Sequence, residues 1–346
     1  MEGGSFLKRI TILDIAGELR YSRNTVAKAL NNGAVSFETR MTVVKKAMEM
    51  GYSKLDDALK EEYRRTIQER TCGTILVLFN RSKSLFWNKI LTGISDEINA
   101  NGCRMQLHIV DDDDINGRET LKLVADDIIG IVFLCEFPIS FVEGMAKAGL
   151  PMTFFNTPAS PIDFLKYGDV VTLEGRNAVA TLVQQAIDMG KKKFAFIGYI
   201  QHSSNVRDRY DGFLDALSRN GIKPDESMLF IAKAQHSYYD FNVVESLVNS
   251  MKEIPEVFVC SNDDIAKYVA IALMKKDLKK ALDTVLIGFD NTVEPEFFKT
   301  DIMTVEIHKE EVGRRLVKTT LDKVKDKKMD NAMITLSTFP IIKRNL

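Results

Sequence analysis

Apolar residues in the first fifty positions recur at helical spacing in three short runs. Ile12, Ile15, Ala16 and Leu19 make the first, Val26, Ala29 and Leu30 the second, and Val43, Val44, Ala47 and Met48 the third. A hydroxyl side chain able to cap a helix precedes each: Thr11, Ser22 and Ser36. Asp14 falls in the first turn of the first run, where an acid suits the helix dipole. Asn31-Asn32-Gly33 stops the second run and Gly51 the third. The pattern predicts an all-α head of three short helices within residues 1–52.

Residues 53–73 are dense in charge, and from 53 to 72 hold no Pro or Gly. Leu55, Leu59, Tyr63 and Ile67 recur every four positions, and Asp56/Lys60 and Glu61/Arg65 are acid-first i,i+4 pairs. A helical linker is expected. One such helix is marginal alone, so its stripe pairs with a second copy in a dimer, packs on the protein's own body, or frays.

From Gly73 the texture becomes alternating apolar strands and amphipathic helices. Strands are expected at 74–80, 104–110, 129–135 and 151–156, and again at 169–173, 193–199, 228–232, 256–262 and 284–290, with helices between them, including one over 118–127. Continuous apolar strands, each followed by a helix, indicate parallel sheets covered on both faces. Residues 74–346 therefore predict a two-lobed, doubly wound α/β body. The lobe boundary is expected near 157–170, with the chain recrossing near 291–305 and 330–335. Ligands of such sheets bind outside the carboxyl ends of the strands.

Composition narrows the picture. Hydrophobic residues at 45% and charged residues at 27% of 346 fit a globular chain rather than a disordered one. No apolar run approaches the roughly 18 residues of a membrane span. The N-terminus shows neither an apolar signal core nor a small-residue cleavage site, so a cytoplasmic location is expected. Cys72, Cys103, Cys135 and Cys260 are scattered, which argues against a disulfide framework or a zinc site. Residues 1–52 hold eight Lys/Arg and five Asp/Glu, a charge of +3; with −1 overall, the rest carries −4. A basic head on a weakly acidic body points to an anionic partner for the head alone.

The head has the outline of a helix-turn-helix unit. At the start of its second helix, Arg23 can fork to guanine, Asn24 can pair with adenine, and Lys28, one turn on, can reach bases or phosphate. Thr11, Ser22 and Thr25 are short hydroxyls at helix N-termini, suited to phosphate contact, and Asn31 closes the recognition segment. A three-helix structural module with a polar face has the same outline.

Several stretches together resemble the LacI/GalR family of transcriptional regulators. In the head these are Thr11-Ile-Leu-Asp-Ile-Ala16, Ser22-Arg-Asn-Thr-Val-Ala-Lys-Ala-Leu-Asn31, Val35-Ser-Phe-Glu-Thr-Arg40 and Gly51-Tyr52. In the body, Gly190-Lys-Lys-Lys-Phe-Ala-Phe-Ile-Gly198, Arg209-Tyr-Asp-Gly-Phe213 with Ala216-Leu217 and Gly221-Ile222, Asn262-Asp-Asp-Ile-Ala266 and Gly288-Phe-Asp-Asn291 continue it in the family's order. The resemblance runs from about Thr11 to Lys343. It implies a DNA-binding head on a body shaped like a periplasmic sugar-binding protein, acting as a homodimer on double-stranded, palindromic operator DNA.

The sequence departs from that pattern in places. Lys191 stands where the family has histidine, Glu174 where it has aspartate, and Arg20 where it has a turn glycine. In the linker, Lys54, Leu55 and Glu61 stand at the family's Pro, Asn and wedge-Leu positions; Tyr52 and Ala58 remain. A carboxylate at Glu61 cannot serve as an apolar wedge between base steps.

In the body, Arg209, Asn262 and Asp290 follow strand ends, where an Arg, an amide and a carboxylate could hold a sugar's hydroxyls or a nucleobase edge. For Arg209 and Asp290 the alternative is an ion pair or helix cap beside the cleft. Phe86 and Trp87 open a helix and serve either as a stacking face or as core. His236 follows another strand end, as a ligand contact or a plain loop residue. Asp111–Asp114 reads as a helix cap, a ligand contact or a solvated loop. Walker A, HExxH and GxSxG sequences are absent, so neither a catalytic site nor a cofactor or metal is expected. The expected function is a repressor controlled by a sugar-like, less readily purine-like, effector. A solute-binding protein, or an enzyme descended from the body, is the alternative. With no leucine heptad before Leu346, a dimer is expected rather than a tail-made tetramer.

Overall fold

The computed structural model describes residues 10–31, 33–70, 72–80, 86–111, 114–115, 120–158, 160–201, 203–231, 238–293 and 302–343, with backbone alone at 64–70, 120 and 343. The chain divides into two compact units, Met1–Cys72 and Gly73–Leu346.

Among the described residues the first unit holds four helices: α1 (Ile12–Leu19), α2 (Arg23–Leu30), α3 (Phe37–Glu49) and α4 (Asp57–Arg70). Thr11 and Asp14 form a reciprocal capping box on α1. The side chains of Ser22 and Ser36 accept from the amides of Thr25 and Thr39 and cap α2 and α3. Ile15, Ala16, Val26, Ala29, Leu30, Val43, Val44 and Ala47 form the core, each under a tenth exposed. Leu55 (5% exposed) and Leu59 (6%) belong to the same core, with Tyr63 packed against it. The linker stripe is therefore spent inside the head and is not left over for a helix pair between copies. Four-residue spacing marks an apolar face without saying what covers it. The Ile67 side chain lies outside the described residues.

Among its described residues the second unit contains two six-stranded sheets. The first runs β11–β5–β4–β3–β1–β2, wholly parallel. Its strands are β1 (Thr74–Asn80), β2 (Arg104–Val110), β3 (Ile128–Leu134), β4 (Met152–Phe155), β5 (Asp169–Leu173) and β11 (Met333–Leu336). The second runs β12–β10–β9–β8–β6–β7 and is parallel except for β12. It comprises β6 (Phe194–Ile197), β7 (Leu229–Phe230), β8 (Val257–Cys260), β9 (Val285–Ile287), β10 (Ile302–Glu306) and β12 (Phe339–Lys343). Helices α5 (Phe86–Ala100), α6 (Ile139–Ala146) and α12 (Lys309–Lys325) cover the first sheet. The second lobe has α7 (Arg176–Asp188), α8 (Ser204–Arg219), α9 (Phe241–Ser250), α10 (Asp263–Lys276) and α11 (Leu278–Asp283).

The two doubly wound lobes carry the expected fold, but the crossings are displaced. β5 still pairs with β4 in the first sheet, so the chain first crosses after Leu173, at Glu174–Gly175, rather than within 157–170. It crosses again between β10 and α12, past 291–305, and finally between β11 and β12, past 330–335. A strand's apolar run does not say which sheet it joins. The expected helix over 118–127 appears as a short 3-10 helix, Thr120–Leu123, among the described residues there.

Helices α5 and α12 approach backbone to backbone. A Cβ at Gly93 would collide with the carbonyl of Glu310, and one at Gly313 with that of Ile90. Cys135 and Cys260 are free and buried. Among the described residues no helix is long and apolar enough to cross a membrane.

Candidate functional site

In the head, capping fixes which side chains α2 presents. The Ser22 hydroxyl takes the Thr25 amide at 3.0 Å and pairs with the Thr25 hydroxyl at 2.8 Å, while Val26, Ala29 and Leu30 turn into the core. Arg23, Asn24 and Lys28 are left exposed, without an ion pair or side-chain hydrogen bond among the described residues. Asn31 is the exposed C-cap residue of α2. The Thr11 hydroxyl is engaged, donating to Asp14 Oδ2 at 2.6 Å. Arg20 ends α1 at φ 55°, ψ 33°, a left-handed cap that a β-carbon disfavours.

In the body, hydrogen bonds join the carboxyl end of the first sheet to α8 of the second lobe. Asn156, just past β4, accepts at Oδ1 from Ser203 Oγ (2.7 Å) and Asn205 Nδ2 (2.8 Å). Its own Nδ2 donates to Glu136 Oε1 at 2.6 Å, just past β3. The Ser204 amide donates to the Thr157 carbonyl at 3.1 Å.

Across from this seam, Arg209 and Asp290 are both buried. Arg209 Nη1 donates to the Ser261 carbonyl at 2.5 Å, Nη2 lies 3.4 Å from Asp290 Oδ1, and the guanidinium sits 3.6 Å from the Phe289 ring centroid. Its Nε has no hydrogen-bond partner among the described residues. Burial pushes the Asp290 carboxyl up and the Arg209 guanidinium down despite their opposite charges, so this pair does not by itself repay its desolvation.

Asn262 caps α10 through Oδ1, which accepts from the Ile265 amide at 3.0 Å, and its Nδ2 donates to Tyr239 Oη at 3.0 Å. Desolvation, with the charges of Glu136 and Asp290, raises the Tyr239 hydroxyl pKa. Beneath these groups Asp263 is fully buried, accepting from Thr304 Oγ1 at 2.7 Å and from the Thr292 amide at 2.9 Å. Burial pushes its carboxyl up to about 7. A Cβ at Gly288 would collide with that carboxylate.

Backbone strain collects in the same place. Among the described residues five non-glycines have positive φ, and four of them, Cys135, Asn156, Asp290 and Asn291, follow the ends of β3, β4 and β9. Such residues persist where the surroundings over-determine them, as binding sites do.

The structure thus brings Arg209, Asn262 and Asp290 together. It places Phe86 and Trp87 differently: both are 7% exposed, packed with Phe79 and Phe155 in an aromatic cluster. Helical spacing could not separate a stacking face from this core. His236 lies outside the described residues, as do Asp112 and Asp113. Asp114 accepts from the Asp111 amide and pairs with His108 Nε2 at 2.8 Å, contacts that hold the segment locally. Glu136, Asn156, Ser203, Asn205 and Tyr239 were not among the residues read from sequence. Glu136 follows a predicted strand and Asn156 closes one, and that position is the available signal.

Comparison with known proteins agrees with this layout. Residues 183–345 match the periplasmic binding protein-like domain. The HTH-type transcriptional repressor PurR of Pasteurella multocida (strain Pm70) is 22% identical, covering 97% of this chain and 98% of that one. Catabolite control protein A of Priestia megaterium is 25% identical over 82% of this chain and 83% of its own. The structure of the transcriptional regulator CelR–cellobiose complex superposes with a TM-score of 0.66 at 16% identity, covering 97% of this chain and 100% of that chain. The lac repressor dimer bound to operator and the anti-inducer ONPF superposes with a TM-score of 0.67 at 17% identity, covering 97% and 98%. These relatives and neighbours are regulators rather than enzymes. Head, two-lobed body and comparisons converge: over nearly its whole length the chain is similar to HTH-type transcriptional repressors, and it shares the fold of the lac repressor and CelR.

Proposed function

We propose that the protein is a cytoplasmic repressor that binds a palindromic operator as a homodimer and is controlled by a small polyhydroxylated effector, a sugar or sugar derivative, in the interlobe cleft. The observation that carries the DNA half is the exposed Arg23, Asn24 and Lys28 set on a helix whose capping and core leave that face outward. A guanidinium, an amide and an ammonium within two turns are what direct readout of a major groove requires. A two-fold dimer would present two such helices to a two-fold operator.

The cleft supports the effector half. Among the described residues Arg209 Nε is a buried donor without a partner, and Asp290 is a buried acceptor beside it. Together with Tyr239, these groups suit adjacent hydroxyls. Glu136 and Asp290 add two carboxylates to the surroundings of Tyr239, which favours a neutral ligand over a phosphorylated one. A ligand that binds one degree of lobe closure better than another shifts that equilibrium, and with it operator affinity.

Selection of random double-stranded DNA with the purified protein tests the first half. A palindromic consensus is expected, and recovery of sequences with no enrichment would sink the reading. Thermal-shift screening against sugars and purines tests the second, since a ligand of the folded state raises apparent stability by mass action. The hit should lose its shift in Arg209→Ala and Asp290→Ala while operator binding persists.

A further inference from the structure

A cavity of about 230 Å³ opens at the amino ends of β6 and β8, the end of the second lobe's sheet opposite the cleft. Phe194, Leu217, Ile222 and Met228 give it an apolar floor. An apolar cavity of roughly 150 Å³ is enough for one benzene ring. The rim carries three lysines, Lys192, Lys193 and Lys223, against two carboxylates, Asp225 and Glu253. Lys193 is taken by Glu253 at 2.6 Å, and the Asp225 carboxylate is satisfied by the amide and hydroxyl of Ser227. Lys192 and Lys223 line the same cavity and make no ion pair among the described residues.

We propose that this pocket is a second small-molecule site, separate from the cleft, for an amphipathic monoanion. An aromatic ring or short alkyl chain fills the apolar floor, and a carboxylate or sulfonate meets Lys192 and Lys223. An anion without an apolar body would gain little from two exposed ammonium groups in water. An apolar molecule without the anion would leave their charge unanswered. Together the two features define the ligand class, and the proposal stands whether or not the cleft binds a sugar.

The probe is 1-anilinonaphthalene-8-sulfonate, titrated by fluorescence into the full-length protein with octanoate as competitor. One saturable site displaced by octanoate is expected. Lys192→Glu with Lys223→Glu, both at exposed positions, should weaken it by about tenfold or more, because each reversal replaces an attraction with a repulsion. Ile222→Trp, which fills the cavity, should weaken it at least as much. Circular dichroism and melting temperature check that both variants are folded. The absence of a saturable site in the wild type overturns the proposal, as does a loss short of about tenfold in either folded variant.

Discussion

Asn156 Oδ1 takes a 2.8 Å hydrogen bond from Asn205 Nδ2, and through it the end of β4 in the first lobe is tied to the start of α8 in the second. Asn156 holds φ 68°, a conformation that asparagine tolerates better than most side chains. Asn156→Gly keeps that backbone and removes the side chain. Losing its links to Ser203 and Asn205 should shift lobe closure by about 1–3 kcal/mol, a five- to hundredfold change in effector affinity. Small-angle scattering should show a larger radius of gyration in the unliganded variant. An unchanged radius and affinity would mean that the seam is incidental.

Arg23→Ala should cost about 1–3 kcal/mol on the preferred operator and relax base preference at one position per half-site. Lys46→Ala, whose ammonium pairs with Glu49 at 3.0 Å, should do much less. Binding to a library of single-base operator variants reads both effects.

Arg20→Gly should stabilise the head. The left-handed cap at φ 55° costs an arginine conformational energy that glycine does not incur. A gain of about 0.5–1 kcal/mol is expected by urea denaturation followed at the head's helices. A loss of stability would mean that the arginine side chain gives more than its backbone takes.

Asp263 gives a pH dependence whose sign follows from its environment. Its carboxyl titrates near an ordinary 3.8 in the unfolded chain and at about 7 in the folded one, because burial, with Asp290 and Asp264 nearby, disfavours its charge. As pH rises from about 4 to about 7, the unfolded chain gives up this proton while the folded one keeps it. Stability should therefore fall across that window by an amount of order 4 kcal/mol, and level off above it. Asp263→Asn should flatten this component, measured by urea denaturation at pH 5 and pH 8. An unaltered difference between the two pH values would rule this carboxyl out as the source.

Leu59→Ala should destabilise the head by about 2–4 kcal/mol, the cost of emptying a buried leucine site. Hydrogen exchange on the whole protein would show faster exchange in α1 to α3 as well as α4. Faster exchange confined to α4 would contradict the shared core.

The head's three helices were legible because capping hydroxyls and apolar spacing agree there: Thr11, Ser22 and Ser36 each cap the helix that the spacing predicts. Asn262 and Asp290 were legible because each follows a strand that hydrophobicity marks clearly, and Arg209, inside α8, because it opens the Arg-Tyr-Asp-Gly-Phe stretch. Glu136 and Asn156 stand at equivalent places yet escaped, since an isolated carboxylate or amide after a strand looks like any loop residue until the fold pairs them. Trp87 shows the converse. A lone tryptophan at a helix start suggests a stacking platform, and only the packing of Phe79 and Phe155 around it shows a core residue.

The burial of Leu55 and Leu59 alongside Ile15 and Val26 sets where this protein can be divided. A recombination junction placed after Tyr52, where the third helix's turn ends, would leave two core side chains of the DNA reader attached to the sensor. A hybrid regulator made by exchanging heads at that point would inherit a reader with a gap in its interior. One joined after Cys72 would carry the whole core across, so the unit of exchange for operator specificity is about twenty residues longer than the helix-turn-helix outline suggests.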